Sequence, residues 1–394
     1  MNKEKTVILG ITGSIAAYKA ADIASKLIQD GIQVEVVMTE PATRFISPLT
    51  LSSITGRSVV SSMWESSSEF SIEHVALAEV ADVIVIAPAT ASIIAHLAAG
   101  MAEDMLTCTV LATKAPVIIA PAMNDNMYNN TITQENIEKL KARGFFVIEP
   151  GYGRLASGKI GTGRLAEIDN ILGIIRQILG REGDLAGKRI CVTAGGTKEP
   201  IDPVRYIGNR SSGKMGGALA SAARDRGAEV MLITATDCLL GAAGMKVVDV
   251  TTAAEMKKAV NNAVKSADVL IMAAAVADYR PKYIAADKIK KGEADLTLEL
   301  EKTSDVLMEV KGDLIKVGFA AESENLVDNA KKKLKEKRLD IVVANDITQK
   351  DCGFDSDLNK VTIIDKNDRV EELPLMRKRE VADKVLDRVV EFIA

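Results

Sequence analysis

Histidine and cysteine are scarce in this sequence, and it has no long uninterrupted hydrophobic run. Its 394 residues include two histidines and four cysteines, and no CxxC or CxxH spacing occurs, so neither a zinc module nor a disulfide framework is indicated. The small apolar stretch 82–101 is interrupted by Pro88 and His96, which argues against a membrane span. The charged start leads directly into a strand, so we expect no signal peptide and a cytoplasmic location.

A strong charge of one sign is also missing. The formal net charge is −4, with 26% charged and 47% hydrophobic residues. These values are typical of a globular protein and argue against a nucleic-acid or membrane partner. The length predicts two or three domains, each able to bury a core.

What the chain does contain is one pattern that occurs twice: a strand, a glycine-containing turn, a helix and a second strand. This βαβ pattern predicts an α/β fold class with two doubly wound Rossmann-like domains, the first flavodoxin-like. We place them at residues 1–182 and 183–394, because glycine and charge replace apolar periodicity near 180–184. The strand, helix and strand are 6–10, 15–30 and 34–38 in the first half, and 189–193, 212–226 and 229–234 in the second.

Small and polar residues follow the predicted strands of the first half. The turn 10–15 places glycines and hydroxyls before a helix, where backbone N–H groups favour a phosphate. Thr39 ends the next strand, and the small residues at 87–92 would let a planar ring approach the backbone. A turn or N-cap role for Thr39, and plain helix–strand packing for the small residues, are equal alternatives.

The loop 121–128 brings two thioethers, two amides, a carboxylate and a phenol to the end of an apolar strand. Ligands of open α/β sheets bind at the carboxyl ends of strands. The loop is therefore a candidate site for a small polar substrate beside a flat, apolar cofactor. The alternative is a polar turn that starts a helix, with methionine filling gaps.

Four segments of the first half, at 13–19, His74, 87–91 and 121–127, resemble the flavin-containing cysteine decarboxylases. With its second half, the whole chain resembles the bifunctional bacterial phosphopantothenoylcysteine decarboxylase/phosphopantothenate–cysteine ligase family of coenzyme A biosynthesis. The resemblance implies bound FMN, which lets the substrate thiol be oxidised transiently so that carbon dioxide can leave. It implies FMN contacts from Gly13, Ser14, Ile15, Thr39, Phe45, Thr90, Ser92 and Met101.

The same resemblance implies roles for individual side chains. His74 would be the acid/base, although without this context a surface helix-cap residue is the favoured alternative. Asn124 would bind the substrate carboxylate, with Met123 framing the pocket. The family also implies a homo-oligomer, because the FMN sites of such decarboxylases form between protomers.

One residue departs from the family pattern. The segment 153–164 resembles the substrate-clamping flap, in which some members have cysteine at the Ser157 position as the proton donor for the final reduction. A thiol has a pKa of about 8.5, and an alkyl alcohol is a far weaker acid. Ser157 could relay a proton through water, another group could donate it, or the enethiol could be the product. We hypothesise that reduction still occurs, with Ser157 near the donor site.

The glycine-rich segment 194–217 of the second half combines backbone donors, hydroxyls and Lys214, which is typical of phosphate binding. It lacks the full P-loop spacing. This segment, 273–281, 288–290, 317–322 and 344–346 resemble the ligase signature. The family uses CTP to convert the phosphopantothenate carboxylate to an acyl-cytidylate, from which the cysteine amine displaces CMP. Mg²⁺ would bridge the phosphates.

The ligase resemblance also implies roles by position. Asn209 would hold the acyl intermediate with support from Arg205, and Lys288 would neutralise charge during acyl transfer. A solvated helix face is the alternative for the lysine-rich run 331–337. The implied substrate contacts of this half are Gly195, Ser211, Ser212, Lys214, Ala274, Asp278, Lys288, Ser304, Asp305, Val306, Leu307, Phe319, Lys333 and Lys337.

Two rival functions stay open for the first half. It could be a peptidyl-cysteine decarboxylase that stops at an enethiol, for which Ser157 is the best support. It could also be a flavin-binding subunit that has lost catalysis, against which His74 and Asn124 argue. The ligands of a metal ion are not predicted by any motif.

Overall fold

The computed structural model describes residues 4–63, 73–236, 242–291, 296–322, 325–346 and 356–393. The chain divides into two compact units, Met1–Leu179 and Gly180–Ala394. Each unit contains an α/β sheet of its own.

The first unit is built on strands that lie between helices along the chain. Its strands are β1 (Thr6–Ile11), β2 (Gln33–Met38), β3 (Val59–Val60), β4 (Val83–Ala89), β5 (Val117–Pro121), β6 (Phe146–Val147), β7 (Gly151–Arg154) and β8 (Ile160–Arg164). Its helices are α1 (Lys19–Gln29), α2 (Glu40–Thr43), α3 (Pro48–Thr55), α4 (Glu73–Val80), α5 (Ala91–Ala99), α6 (Met105–Ala112), α7 (Asp125–Tyr128), α8 (Thr131–Ala142) and α9 (Ile168–Leu179).

Six parallel strands of this unit form one sheet in the order β3-β2-β1-β4-β5-β6. Without the two-residue edge strand β3, the other five follow the flavodoxin-like order. Both faces are covered: Leu9 belongs to one apolar cluster and its neighbour Ile8 to the other. This explains why the strands are continuous apolar runs. The separate pair β7–β8 is an antiparallel hairpin.

The second unit repeats this plan and extends it. Its strands are β9 (Arg189–Ala194), β10 (Lys198–Pro200), β11 (Tyr206–Gly208), β12 (Glu229–Thr234), β13 (Lys246–Asp249), β14 (Val269–Met272), β15 (Tyr279–Pro281), β16 (Leu300–Lys302), β17 (Ile315–Glu322), β18 (Ile341–Asp346), β19 (Leu358–Asn359), β20 (Val361–Asp365), β21 (Val370–Glu372) and β22 (Met376–Arg377). Its helices are α10 (Lys214–Asp225), α11 (Ala253–Ala263), α12 (Val306–Glu309), α13 (Leu326–Glu336) and α14 (Lys378–Ile393).

Its main sheet has the order β13-β12-β9-β14-β17-β18-β20-β21. The first six strands are parallel and have the Rossmann order when counted along the chain, whereas β20 and β21 are antiparallel additions. The predicted fold class of two doubly wound units is therefore confirmed. In both units the strand order reverses beside the first strand, which opens a crevice at the carboxyl ends.

Two predicted helices have different bounds in the structure. A 3-10 turn, Ile15–Tyr18, precedes α1, because the Ser14 hydroxyl accepts from the Ala16 N–H (3.3 Å) and caps this turn. In the second unit, α10 begins at Lys214 because Gly213, at φ 78°, has a left-handed backbone.

Candidate active sites

The turn after β1 contacts the loops that follow the neighbouring strands. Thr12 Oγ1 donates to the Pro88 carbonyl (2.7 Å) and accepts from the Thr90 N–H (3.0 Å). Ser14 Oγ donates to the Ala122 carbonyl (3.4 Å). The first turn, the end of β4 and the loop 121–128 therefore meet at one sheet edge.

Some predicted cofactor residues also have local structural roles. Thr90 Oγ1 accepts from the Ile93 N–H (3.3 Å) and caps α5. Thr39 precedes α2 and donates to the Ile11 carbonyl (3.4 Å). Gly13 is packed so closely that a Cβ atom there would lie 2.5 Å from Pro41 Cβ. Thr90 therefore caps a helix, whereas Thr39 stands at the N-cap position of α2 without a capping hydrogen bond from its side chain.

Three predicted cofactor contacts are apolar side chains that the single chain leaves exposed. Ile15, Phe45 and Met101 are 59%, 48% and 40% exposed. Ser92, in the first turn of α5, is exposed as well. Exposed apolar side chains offer contact area to a flat ligand or to a second copy of the chain.

Asn124 begins the short helix that follows β5. Its Oδ1 accepts from the Asn126 N–H (3.0 Å), so it is the N-cap of α7. Because this bond fixes the orientation of the amide, the Nδ2 donors are directed away from the helix end. The group predicted to bind here is the substrate carboxylate. An ionised carboxylate only accepts hydrogen bonds, so the Nδ2 donors of Asn124 suit it.

The hairpin β7–β8 is attached to the same loop. The Met123 N–H donates to the Gly163 carbonyl (2.9 Å), and Asp125 Oδ1 accepts from the Thr162 N–H (3.0 Å). A Cβ atom at Gly161 would lie 2.7 Å from Asp125 Cγ. Strand β8 therefore lies directly against the loop that holds Asn124.

Two predicted catalytic residues of this unit lie in different settings. Ser157 is exposed at the tip of the hairpin, where the Leu155 N–H donates to the Lys159 carbonyl (2.8 Å). His74 lies in the first turn of α4 and is partly buried. The start of α4 is at the carboxyl edge of the sheet, because the helix leads into β4.

A buried tyrosine supports the substrate loop from behind. Tyr128 Oη donates to Glu149 Oε2 (2.7 Å), and the Tyr128 N–H donates to the Asn124 carbonyl (2.9 Å). Burial, together with the Glu149 carboxylate, raises the pKa of Tyr128 to about 12. The phenol therefore stays protonated as a donor at neutral pH.

The second unit contains a cavity of about 490 Å³ on the carboxyl side of β9, β14 and β17. The residues that line it come from eight parts of the sequence, within 209–216, 272–278, 303–307, 319–320 and 333–337 and at Asn345, Asn359 and Lys378. The predicted residues among them are Asn209, Ser211, Ser212, Lys214, Ala274, Asp278, Ser304, Asp305, Val306, Leu307, Phe319, Lys333 and Lys337.

Hydrogen bonds hold the loop after β14 against the glycine-rich turn. Asn209 Nδ2 donates to the Val276 carbonyl (3.2 Å), and the Ala274 N–H donates to Thr193 Oγ1 (3.1 Å). The Ala275 N–H donates to the Gly195 carbonyl (2.9 Å). Gly195, at φ 83°, thus lies behind the cavity wall rather than among the lining residues.

Lysine side chains at the cavity are engaged with carboxylates. Lys337 Nζ lies 2.7 Å from Asp305 Oδ2, and Lys214 Nζ lies 2.8 Å from Asp357 Oδ1. The Lys214 ammonium lowers the pKa of Asp357. A triphosphate would compete with these carboxylates for the same cations.

Arg205 and Lys288, both predicted to be catalytic, are not among the lining residues of this cavity. Arg205 instead binds Asp202 and donates from Nη2 to the Ile289 carbonyl (2.8 Å). The Arg205 guanidinium holds the pKa of Asp202 well below its usual range. Lys288 is exposed on the adjoining segment.

Sequence reasoning missed several residues at these sites. Asn359 and Lys378 line the cavity of the second unit. No local pattern indicated them, because they come from β19 and α14, which lie outside the predicted motifs. Asn345 also lines the cavity, and its buried Oδ1 has no hydrogen-bond partner within the part of the chain that the structure describes. The bond from Thr162 to Asp125 and the contact of Asp202 with Ile289 were also missed, because these partners lie 37 and 87 positions apart in the sequence.

Metal and membrane features were searched within the described ranges. No group of three or more histidine, cysteine or acidic side chains there is arranged to hold a metal ion. No helix in the same ranges has both the length and the apolar character needed to cross a bilayer.

Comparisons with known proteins cover both units. The Flavoprotein family model matches residues 1–180, and the DNA/pantothenate metabolism flavoprotein C-terminal domain matches residues 185–393. The coenzyme A biosynthesis bifunctional protein CoaBC of Bacillus subtilis is 43% identical over 395 residues, covering 99% of this chain and 97% of the relative. The Vibrio cholerae protein of the same name is 42% identical and covers 98% of each chain.

Solved structures resemble the units one at a time. The C-terminal domain of a coenzyme A biosynthesis bifunctional protein CoaBC covers 54% of this chain and 98% of its own, at 41% identity and a TM-score of 0.47. A variant of PPC decarboxylase complexed with pantothenoylaminoethenethiol covers 44% of this chain and 97% of its own, at 31% identity and a TM-score of 0.41.

The fold, its two sites and the family matches define a two-domain α/β enzyme whose first unit is a flavoprotein. The chain belongs to the coenzyme A biosynthesis bifunctional protein CoaBC family. It is a bifunctional enzyme of coenzyme A biosynthesis, with decarboxylase and ligase activities.

Proposed function

We propose that the second unit uses CTP and Mg²⁺ to join 4'-phosphopantothenate to cysteine, and that the first unit uses FMN to decarboxylate the product. The observation that carries this proposal is the convergence of thirteen predicted residues on one cavity. The predicted residues come from five parts of the sequence, and their convergence supports a single ligase site. The proposed domain boundary is that of the sequence prediction, 1–182 and 183–394.

The residues at the first sheet edge suit FMN in their chemistry. Hydroxyl groups of Ser14, Thr39 and Thr90 suit its polar end, and exposed Ile15 and Phe45 suit its ring. When bound, FMN supplies the redox chemistry that lets the thiol-bearing carbon be oxidised and reduced. Gly13, Ser92 and Met101 complete the proposed contacts.

The side chains of this unit would orient the substrate and move protons. Asn124 Nδ2 would bind the carboxylate that leaves as carbon dioxide, while Met123 frames the pocket. His74 would take the proton in the oxidative half-reaction, because a neutral imidazole has a ring nitrogen that accepts one. Ser157 would lie near the donor of the returning proton.

The ligase residues would act in two half-reactions. Ser211, Ser212, Lys214 and the start of α10 would surround the phosphates, where helix N–H groups favour anions. Asn209 would hold the acyl-cytidylate, and Lys288 would neutralise charge as the cysteine amine displaces CMP. Mg²⁺ would bridge phosphates with few protein ligands, as it usually does.

We further propose a cytoplasmic homo-oligomer. Ile15, Phe45 and Met101 are exposed although they are proposed FMN contacts, so a second copy of the chain would complete the flavin site. Light scattering of the FMN-loaded protein should give a multiple of the chain mass. A purely monomeric, active decarboxylase would contradict this proposal.

The central experiment is mass spectrometry of the products formed from phosphopantothenate, cysteine and CTP. Wild type should give 4'-phosphopantetheine and cysteine-dependent CMP, and Ser157→Cys should give the same product. Accumulation of an enethiol by wild type and Ser157→Ala alike would favour the rival function that Ser157 supports. A flavin spectrum without carbon dioxide release would favour a non-catalytic first unit, and absence of cysteine-dependent CMP would refute the ligase proposal.

A further inference from the structure

We propose that Asp202 is a positioning residue of the ligase, which fixes Arg205 and the segment that carries Lys288. The inference rests on the proposed role of Lys288 in acyl transfer. Asp202 lies in the turn between β10 and β11 and is 3% exposed. It is distinct from the residues that line the cavity.

The Asp202 carboxylate is saturated by donors from this turn and from one distant segment. Oδ1 accepts from the Val204 N–H and the Arg205 N–H, both at 2.8 Å. Oδ2 accepts from Arg205 Nε (2.9 Å), Arg205 Nη2 and the Ile289 N–H (3.2 Å). A carboxylate has about four lone-pair sites, so these five contacts leave none for a substrate. The geometry therefore assigns Asp202 a positioning role rather than direct catalysis.

The distant segment is held at one residue, Ile289, through both of its backbone polar groups. Ile289 donates its N–H to Asp202 and receives Arg205 Nη2 on its carbonyl (2.8 Å). A further bond joins the Ala285 N–H to the Ile201 carbonyl (3.0 Å). Residues 285–290 form neither a helix nor a strand, so these contacts hold the segment in place of the backbone hydrogen bonds of regular secondary structure.

Lys288 lies immediately before Ile289, the residue whose backbone is bound by Asp202 and Arg205. Its side chain is exposed, so its direction depends on the backbone to which it is attached. Arg205 donates from both Nε and Nη2 to one oxygen of the carboxylate, and this charged pairing is lost when either partner changes. Loss of the clamp should therefore misplace the Lys288 ammonium without removing its charge.

The test separates the two ligase half-reactions in the full-length protein. Pyrophosphate release without cysteine reports formation of the acyl-nucleotide, and CMP release after cysteine addition reports acyl transfer. We expect Asp202→Asn to slow acyl transfer by about 10- to 100-fold, which is typical of a misplaced reacting group. Acyl-nucleotide formation should change less than threefold, so the intermediate should accumulate. Asp287→Asn is the matched control, because it removes an exposed carboxylate next to Lys288 and should leave both steps unchanged.

Arg205→Lys cuts the same link from its exposed side, where the arginine side chain is 43% accessible. It should give the same selective loss and should be non-additive with Asp202→Asn. Equal loss in both half-reactions, or unimpaired acyl transfer in either variant, would overturn the proposal. Lys288→Gln separates this result from failure of the proposed function: if that variant transfers the acyl group normally, the role of Lys288 itself is wrong.

Discussion

Replacing Asp125 with alanine should loosen the flap strand from the loop that holds Asn124. The change deletes the oxygen that accepts from the Thr162 N–H (3.0 Å) and from Asn129 Nδ2 (2.9 Å). The backbone bond from Met123 to Gly163 remains. One side-chain attachment of β8 is therefore lost while one backbone attachment is kept.

The magnitude follows from the kind of bond. A hydrogen bond to a charged group contributes about 1.5–3 kcal/mol. Asp125 is only partly buried, so we take the lower end, ~1.5 kcal/mol, which is about a tenfold change in the equilibrium for flap detachment. Because detachment is local, the melting temperature of the protein should change little.

Hydrogen exchange measured by mass spectrometry is the direct assay. Peptides covering β8 should exchange about tenfold faster in Asp125→Ala, and the decarboxylase KM should rise by about the same factor. Asp125→Asn keeps an amide oxygen in the same position and is the matched control. Unchanged exchange and KM in the alanine variant would show that the hairpin and the Met123–Gly163 bond suffice to hold the flap.

Three further predictions use the same protein preparation. Gly163→Ala should abolish decarboxylation while CMP formation persists, because its Cβ would lie 2.2 Å from the Met123 carbonyl at φ 146°; normal carbon dioxide release would refute this. Asp365→Ala should destabilise the second unit by about 1.5–3 kcal/mol in denaturant unfolding, since the buried Arg388 guanidinium loses one charged hydrogen bond (2.6 Å) but keeps its contact with Glu371. Burial raises the pKa of Cys191 to about 12, so its thiol should resist alkylation at pH 8 until the protein unfolds. Peptide mass spectrometry would measure the labelling, and rapid labelling of the native protein would contradict the burial.

The fold was predictable because parallel strands covered on both faces must be apolar runs. The strand predicted at 6–10 appears as β1, and the one at 189–193 appears as β9. The antiparallel additions β20 and β21 escaped prediction, because antiparallel neighbours lie outside the βαβ pattern on which the fold prediction rested. The helix expected at 15–30 is divided because a serine cap favours a tight turn, which apolar periodicity does not register.

The sites were predictable where their residues directly follow strands or lie in the loops next to them. Asn124 and Asn209 stand in such segments, and the doubly wound topology brings each segment to the carboxyl edge of the sheet in its own unit. Asp202 was not predictable in the same way: an aspartate three residues before an arginine indicates a local turn, and its contact with Ile289 spans 87 positions. Contacts of this kind depend on how loops return to the sheet.

In both units a threonine hydroxyl joins the end of the first strand, or the turn after it, to the loop that follows the neighbouring strand. In the first, Thr12 joins the turn after β1 to the Thr90 N–H at the end of β4. In the second, the Thr193 hydroxyl accepts from the Ala274 N–H after β14, and Thr197 accepts from the Ala277 N–H (2.9 Å). A threonine thus fixes the switch point in both, so the scaffold itself cannot distinguish a decarboxylase from a ligase. The distinction lies in what the next loops add: a capped amide beside the β7–β8 hairpin in one unit, and lysines around a cavity in the other.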